Sequence, residues 1–301
     1  MPATTKVPDP QQAIFDKRGR SHWMGEFDVA PGADLDALRA ALSAIRSAVG
    51  SELVLAFGPD LMGRLAPDRV PADHGPLVSR TGVLGTTMPA TQADLFVWLC
   101  GSAPDLVVED MLAVRNQLRD LATLVEETTA FVYLDSRDLS GFEDGTANPP
   151  PEEAPGVALV PSGPGAGGSH VLVQKWVHDL DSFLSLDVAE QEAAIGRTKP
   201  DSVELDPLPE GSHVAMMEVR DEHGDEREIW RRSVAWADYG RQGLLFLAFA
   251  ADPDIFEHML DHLFAFTHGP EDRLLLLSAP VTGARYFAPS VTDLDEALAL
   301  R

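Results

Sequence analysis

Residues 141–149 read GFEDGTANP, so that two glycines bracket a carboxylate at fixed spacing: Gly141, Asp144, Gly145. Asp-Gly and Asn-Pro are turn signals, and turn chemistry alone accounts for every residue here. A carboxylate presented at such a turn could instead exchange a proton with something bound beside it. His213, in GSHVAMMEV, follows a turn and enters an apolar run that alternates like a strand. It is either a core histidine donating to a carbonyl or a neutral imidazole of the kind a haem iron takes as axial ligand. Arg231 and Arg232 lie in IWRRSVAW. Adjacent strand residues face opposite ways, so one of them points inward and needs a core carboxylate or an anionic or peroxide-like partner. His258 and His262, four apart with Asp261 between them, have a spacing that can bind zinc. Without HExxH or a cysteine cluster, they read better as a polar helix face.

These residues need elements to position them. DLDALRAALSAIRSAVG (34–50) puts Leu35, Leu38, Leu42, Ile45 and Val49 on one helical face, with Asp34 to cap it and Gly50 to end it. A second amphipathic helix is expected over 104–125. Strand-like runs at 22–29, 52–58, 94–100 and 129–135 surround them and give an order close to β-α-β-β-α-β. A Pro/Gly/Glu-rich stretch, 148–168, then reads as an ordered-to-flexible loop or interdomain connection. The pattern partly repeats beyond it: strands at 169–180, 212–220, 226–234 and 243–251, and helices at 187–196 and 253–266. The expectation is an α+β chain of two ferredoxin-like α/β sandwich units, residues 1–140 and 141–301, the second starting at the GxxDG loop.

Composition narrows the partners. The 301 residues carry a net charge of −25, which repels nucleic acid and anionic membrane surfaces. No apolar run approaches the ~20 residues of a membrane span, and the first residues contain no export signal. Cys100 is the only cysteine, which excludes an intrachain disulfide and fits a reducing cytoplasm.

Taken in order, GxxDG, QKWVHDL, IGRTK, SHV, R-x-S and an apolar strand form a specific series. On these motifs the chain resembles the dye-decolourising peroxidases, within them the B-type subgroup, from PQQAIFDKRGRSHWMGEF (10–27) to DRLLLLSAPVTGARYFAPS (272–290). The resemblance implies a dimeric α+β barrel type of fold with b-type haem held in the C-terminal half. It implies H2O2-dependent oxidation of bulky aromatic or dye-like donors through a ferryl intermediate. His213 would be the axial iron ligand, Asp144 the distal carboxylate, Arg231 the distal arginine and Ser233 its small polar companion. Arg197 would meet a haem propionate with bidentate donors, and Phe246 would line the distal pocket. Gly141 and Gly145 would let backbone pass close over the haem face, where a Cβ could clash. The resemblance also implies small aromatic reductants as partners and a homo-oligomer, a dimer or a higher ring. The ending VTDLDEALALR shows no evident nanocompartment-targeting tail.

The family carries DRLLDFS where this chain reads DRLLLLS, with Leu276 in place of the second acid, which there hydrogen-bonds the proximal histidine. The implied consequence is a more neutral His213, unless Asp272 or another acid substitutes. That departure supports an alternative function, a haem-binding or haem-handling protein with low peroxidase turnover. Trp176, Trp230, Trp236 or Tyr239 could relay electrons to bulky donors from the surface, or serve packing.

Overall fold

The computed structural model describes residues 7–220 and 223–299. Its frame is a closed ring of eight antiparallel strands. β1 (Ser21–Val29), β2 (Leu53–Phe57), β3 (Leu95–Gly101) and β4 (Ala122–Phe131) come first in the chain; β5 (Ser169–His178), β6 (Val234–Ala237), β7 (Gln242–Ala250) and β8 (Ala284–Ala288) follow. Each set of four has the ferredoxin-like order of second, third, first and fourth strand: β2-β3-β1-β4 and β6-β7-β5-β8. Phe131 pairs with Ala235 and Phe57 with Phe287, which closes the ring.

The two-residue pleat decides what each strand buries. On β5, Val171 and Val173 join Met24, Phe96, Trp98, Phe249 and Tyr286 in a cluster inside the barrel, while Leu172 and Trp176 pack outside it. Both faces of the second-half sheet are therefore covered, which explains the unbroken apolar run on β7. An eight-stranded barrel either fills with side chains or holds one small ligand, and here the buried cluster fills it. Space for a ligand must lie outside the ring.

Helices α1 (Leu35–Val49) and α2 (Pro104–Leu118) cover the outer face of the first four strands. Asp34 caps α1 by accepting from Asp36 N, and Gly50 ends it with φ +75°. α2 stops earlier than its apolar pattern suggests. The Thr- and Val-rich ATLVEETTAF is already β4, so the strand expected at 129–135 starts at Ala122. In the second half, α3 (Val188–Ile195) has an Asp187–Glu190 capping box and stops at Gly196, φ +98°. Residues 212–220 do not form a strand: His213–Met217 is a short helix, α4, packed against α5 (Asp254–Phe264). The run at 226–234 pairs with β7 only through Trp230–Arg231 before β6 begins. The 148–168 connection is built into the fold. Ala154–Ala158 is helical, Val157 O accepts from Ala251 N, and Val160 exchanges two backbone hydrogen bonds with Gly167 and Gly168.

Candidate active site

The GxxDG loop takes its shape from two backbone positions, Gly141 at φ +90° and Gly145 at φ +77°, a region that side chains with a Cβ disfavour. Asp144 N donates to Ser136 O, and Asn148 N closes the next turn onto Gly145 O. The side chain of Asn148 then acts as a strand partner. Its Oδ1 accepts from Arg231 N at 2.8 Å and its Nδ2 donates to Arg231 O at 3.0 Å. The loop carrying Asp144 is thereby pinned to the backbone of Arg231. Asn-Pro, readable in sequence only as a turn, supplies this clamp.

Asp144 and Arg231 line a cavity of about 740 Å3 between the outer face of β5 and β7 and the helices α4 and α5. Leu172, Trp176, Phe246, Phe256, Met259 and Leu263 give it apolar walls. A second, outer space of about 1020 Å3 shares Asp144, His213, Met217 and Arg231 with the first and is walled by Gly145, Arg197 and Glu204. Burial pushes the Asp144 carboxyl above its ordinary range, and the charge of Arg231 opposes that rise. Among the described residues the two make no ion pair within 4.0 Å, though each feels the other's charge, and both line the space.

His213 lies at the start of α4 and lines both spaces. Its Nδ1 is 2.7 Å from Oδ2 of Asp272, whose side chain is fully buried. The other oxygen, Oδ1, accepts from Leu274 N at 2.8 Å, and Arg273 N donates to Gly211 O, so the carboxylate is fixed at both ends. With Nδ1 committed, Nε2 is the ring nitrogen left for the cavity. Of the two outcomes left open at Leu276, the structure shows the second, with Asp272 taking the place of the missing acid. Residues 273–276 form a 3-10 turn capped by Asp272, which turns Leu276 out to 79% exposure and Asp272 in. The histidine has its carboxylate partner four residues earlier in the chain.

The remaining expected residues fall as follows. Phe246 lines the inner cavity. Ser233 lines a third space, where its Oγ accepts weakly from Leu247 N at 3.4 Å. Arg197 stands at the outer space, donating to Ser202 O and to Glu204. Arg232 is the more buried arginine of the pair. It donates to the carbonyls of Ala13, Ile14 and Asp16 rather than to a core carboxylate. Trp176, Trp230 and Trp236 are buried, not surface residues, and Tyr239 alone of that group is exposed. His258 contacts Arg227 and Asp254, and His262 the carbonyl of Met216. His170 is buried against His74 and Phe287, away from the cavity lining. His178, in the QKWVHDL motif, lines the cavity and bridges Ser278 and Asp138 at 2.6 and 3.0 Å. Burial alone would raise Asp138, but the hydrogen bond and charge of His178 hold its carboxyl below the usual range.

The protein fits a haem on several counts. The apolar walls suit a flat macrocycle, and Arg197 at the outer space could meet its carboxylate substituents. Two buried polar atoms in the lining, Arg231 Nε and Gln174 Nε2, have no hydrogen-bond partner within the protein. Buried donors without partners are costly and point to a ligand that supplies acceptors.

Comparison with known proteins identifies the family. Residues 135–293 match the family described as Dyp-type peroxidase, C-terminal. A dye-decolorizing peroxidase of Mycobacterium tuberculosis is 37% identical over 254 residues, 81% of this chain and 74% of that protein. A Rhodococcus jostii DypB variant in complex with heme superposes with a TM-score of 0.87 at 32% identity, covering 96% of this chain and 98% of that one. The encapsulated DyP-type peroxidase from Mycobacterium smegmatis gives 0.89 at 32%, covering 98% of this chain and 100% of that one. The chain belongs to the Dyp-type peroxidase family.

Proposed function

We infer that this chain is an H2O2-dependent haem peroxidase of the B-type subgroup that oxidises aromatic, dye-like donors. One observation carries the reading. A histidine backed by a buried carboxylate, His213–Asp272, shares a single apolar cavity with an uncompensated carboxylate and arginine, Asp144 and Arg231. The B-type assignment is supported by the ordered motif series and by the likeness to a protein named DypB.

In this reading His213 Nε2 would hold the haem iron. Asp272 fixes the ring orientation and raises its basicity by accepting the Nδ1 proton. Arg197 and the apolar walls hold the macrocycle. Haem supplies the iron at which the peroxide O–O bond breaks. Asp144, when ionised, accepts the proton of the nearer peroxide oxygen and delivers it to the farther one, which leaves as water. Arg231 cannot serve as a base. It favours the ionised form of Asp144 and stabilises negative charge developing on the departing oxygen. Asn148 keeps the two in register through the Arg231 backbone, and Ser233 and Phe246 complete the wall around them. The low-turnover alternative rested on Leu276, and the buried Asp272 removes that ground.

The equivalent strand order of the two halves supports a division into units 1–140 and 141–301. Among the described residues no helix is long and apolar enough to cross a membrane. A cytoplasmic, homo-oligomeric enzyme is the corresponding proposal, in line with the single, buried Cys100. The test of function is catalytic: haem-loaded protein should turn over many equivalents of H2O2 when an aromatic donor is present and release the oxidised donor. Haem loading with no H2O2 consumption would refute the reading.

A further inference from the structure

We propose that His178 and Asp138 form a positioning pair for the distal carboxylate: the imidazole fastens the loop that carries Asp144 to the cavity floor and keeps Asp138 charged, and that charge favours the protonated form of Asp144; this rests on the peroxidase reading and deepens it.

The pleat of β5 turns Leu172, Gln174, Trp176 and His178 to the cavity side, and His178 is the last residue of the strand. Ser278 lies opposite it on the short strand Ser278–Pro280. Their side chains meet as well, with Ser278 Oγ 2.6 Å from His178 Nδ1. On the other edge of the ring, Nε2 lies 3.0 Å from Asp138 Oδ1. An ionised carboxylate only accepts, so Nε2 carries a proton, and in the neutral ring Nδ1 accepts from the Ser278 hydroxyl. Both ring nitrogens are thereby committed, and the imidazole is left to position rather than to meet peroxide.

The GxxDG loop is wound around Asp138. Its N donates to Phe142 O, its O accepts from Gly141 N, and its Oδ2 accepts from Ser140 N at 2.8 Å. Asp144 N closes the same loop on Ser136 O. One imidazole therefore joins this loop to β5 and to the strand that follows the Asp272 turn. Behind the pair lies a pocket of about 250 Å3 walled by Leu180, Phe183, Ile195, Leu274 and Leu277, with no other titratable side chain in its lining. A carboxylate persists in such surroundings only when it is paired and hydrogen-bonded.

Asp144 stands between opposite charges. Burial raises its carboxyl most, Arg231 opposes the rise, and Asp138 adds to it. His213 of α4 and Lys17, ahead of β1, also act on it. Arg20, Arg137 and Arg232 share the third space with it, and Glu143, Arg197, Glu204, Glu218 and Glu226 share the outer space. A group that takes a proton from one peroxide oxygen and returns it to the other works best when it holds that proton neither too weakly nor too tightly. Arg231 makes Asp144 a weaker base, and the charge of Asp138 offsets this.

Asp138→Asn removes the charge and can keep the bonds. The amide oxygen accepts from Ser140 N, and Nδ2 donates to His178 Nε2, while the ring proton moves to Nδ1 and is donated to Ser278 Oγ. The protonated-carboxyl band of Asp144, assigned by its loss in Asp144→Asn, is followed by infrared titration of the resting haem-loaded enzyme, beside the second-order rate constant for H2O2 across pH. Both midpoints should move to lower pH by about half a unit or more. Asp135→Asn, the same change at an exposed position two residues before Arg137, should leave both in place. His178→Ala should slow the H2O2 reaction by about tenfold or more, and His178→Gln, which keeps a donor for Asp138, should recover most of that loss. Midpoints that Asp138→Asn leaves unmoved or raises, or that Asp135→Asn lowers equally, overturn the proposal, as does a wild-type rate in a folded His178→Ala; Asp138→Asn decides the matter if that variant fails to fold. Normal H2O2 consumption with unmoved midpoints refutes the pair alone. If wild-type enzyme consumes no H2O2 with any donor, the peroxidase reading fails and this role with it.

Discussion

Replacing Asp272 by Asn isolates what the proximal carboxylate does. The side chain is completely buried and its Oδ2 lies 2.7 Å from His213 Nδ1. Asn retains the shape and keeps an acceptor for Leu274 N, but it removes the negative charge and faces the Nδ1 proton with an amide instead. A hydrogen bond to a charged group contributes about 1.5–3 kcal/mol net. The carboxylate favours the more positively charged ferric state, so its loss raises the Fe(III)/Fe(II) potential. At 59 mV per factor of ten for one electron, that energy corresponds to about 65–130 mV. Loss of a carboxylate behind a metal-bound histidine typically costs ~10–100-fold in activity, and the rate of H2O2 consumption should fall within that range. The assay is redox titration of the haem-loaded variant, beside Leu276→Asp as a control. Because Leu276 is 79% exposed, an acid placed there should leave the potential unchanged. The reasoning is refuted if Asp272→Asn leaves the potential at the wild-type value, or if Leu276→Asp lowers it.

His213→Ala should purify with little haem, or with an altered axial ligand in its absorption spectrum; wild-type spectra would remove His213 from the site. Because burial raises the Asp144 carboxyl and Arg231 opposes the rise, peroxide consumption should fall as pH drops through an apparent pKa above the ordinary 3.8. Arg231→Ala should move that limb to higher pH, and Asp144→Asn should abolish it, as read from second-order rate constants for H2O2 across pH. Inside the barrel, burial raises Glu26 from 4.5 to about 7, so the native chain keeps a proton that the unfolded chain releases. The stability from that proton is fully present below about pH 4.5 and is lost as pH rises through about 7, a swing of about 3 kcal/mol. Glu26→Gln, which still offers Tyr286 an acceptor, should therefore gain up to about 3 kcal/mol over wild type above pH 7 and nothing below about 4.5, by denaturant titration.

The parts legible in the sequence are those fixed by local chemistry. Gly141 and Gly145 announce a loop because only glycine takes their φ cheaply, and Asp34, Gly50 and Gly196 mark helix ends by capping rules. What failed depends on rotation and on layers. Asp272 and Leu276 lie four residues apart, about one and a third turns of a 3-10 helix, so they face different ways, and spacing alone does not tell which one points inward. The helix bearing His213 has five residues, too few for a 3.6-residue period to stand apart from strand alternation. The packing role of Trp176, Trp230 and Trp236, the favoured reading over a surface relay, holds because β5, β6 and β7 are covered on both faces. Asn148 and His178 act across 83 and 100 residues of sequence, on Arg231 and Ser278, and only the closed ring brings those partners together.

The most direct test of the account is rapid mixing of haem-loaded protein with one equivalent of H2O2, followed at the Soret band, in wild type, Asp144→Ala and Arg231→Ala at equal haem occupancy. Removing a general base typically costs ~10²–10⁴-fold and removing one electrostatic stabiliser ~10²–10³-fold, so the ranges overlap. The spaces that meet at Asp144 and Arg231 open toward solvent, where water can carry the proton in place of the carboxylate but cannot supply the guanidinium charge. The account predicts a fast second-order loss of the resting Soret band in wild type, slowed in both variants and more in Arg231→Ala. A resting spectrum that H2O2 leaves unchanged in wild type, or a rate that neither substitution alters, would contradict it.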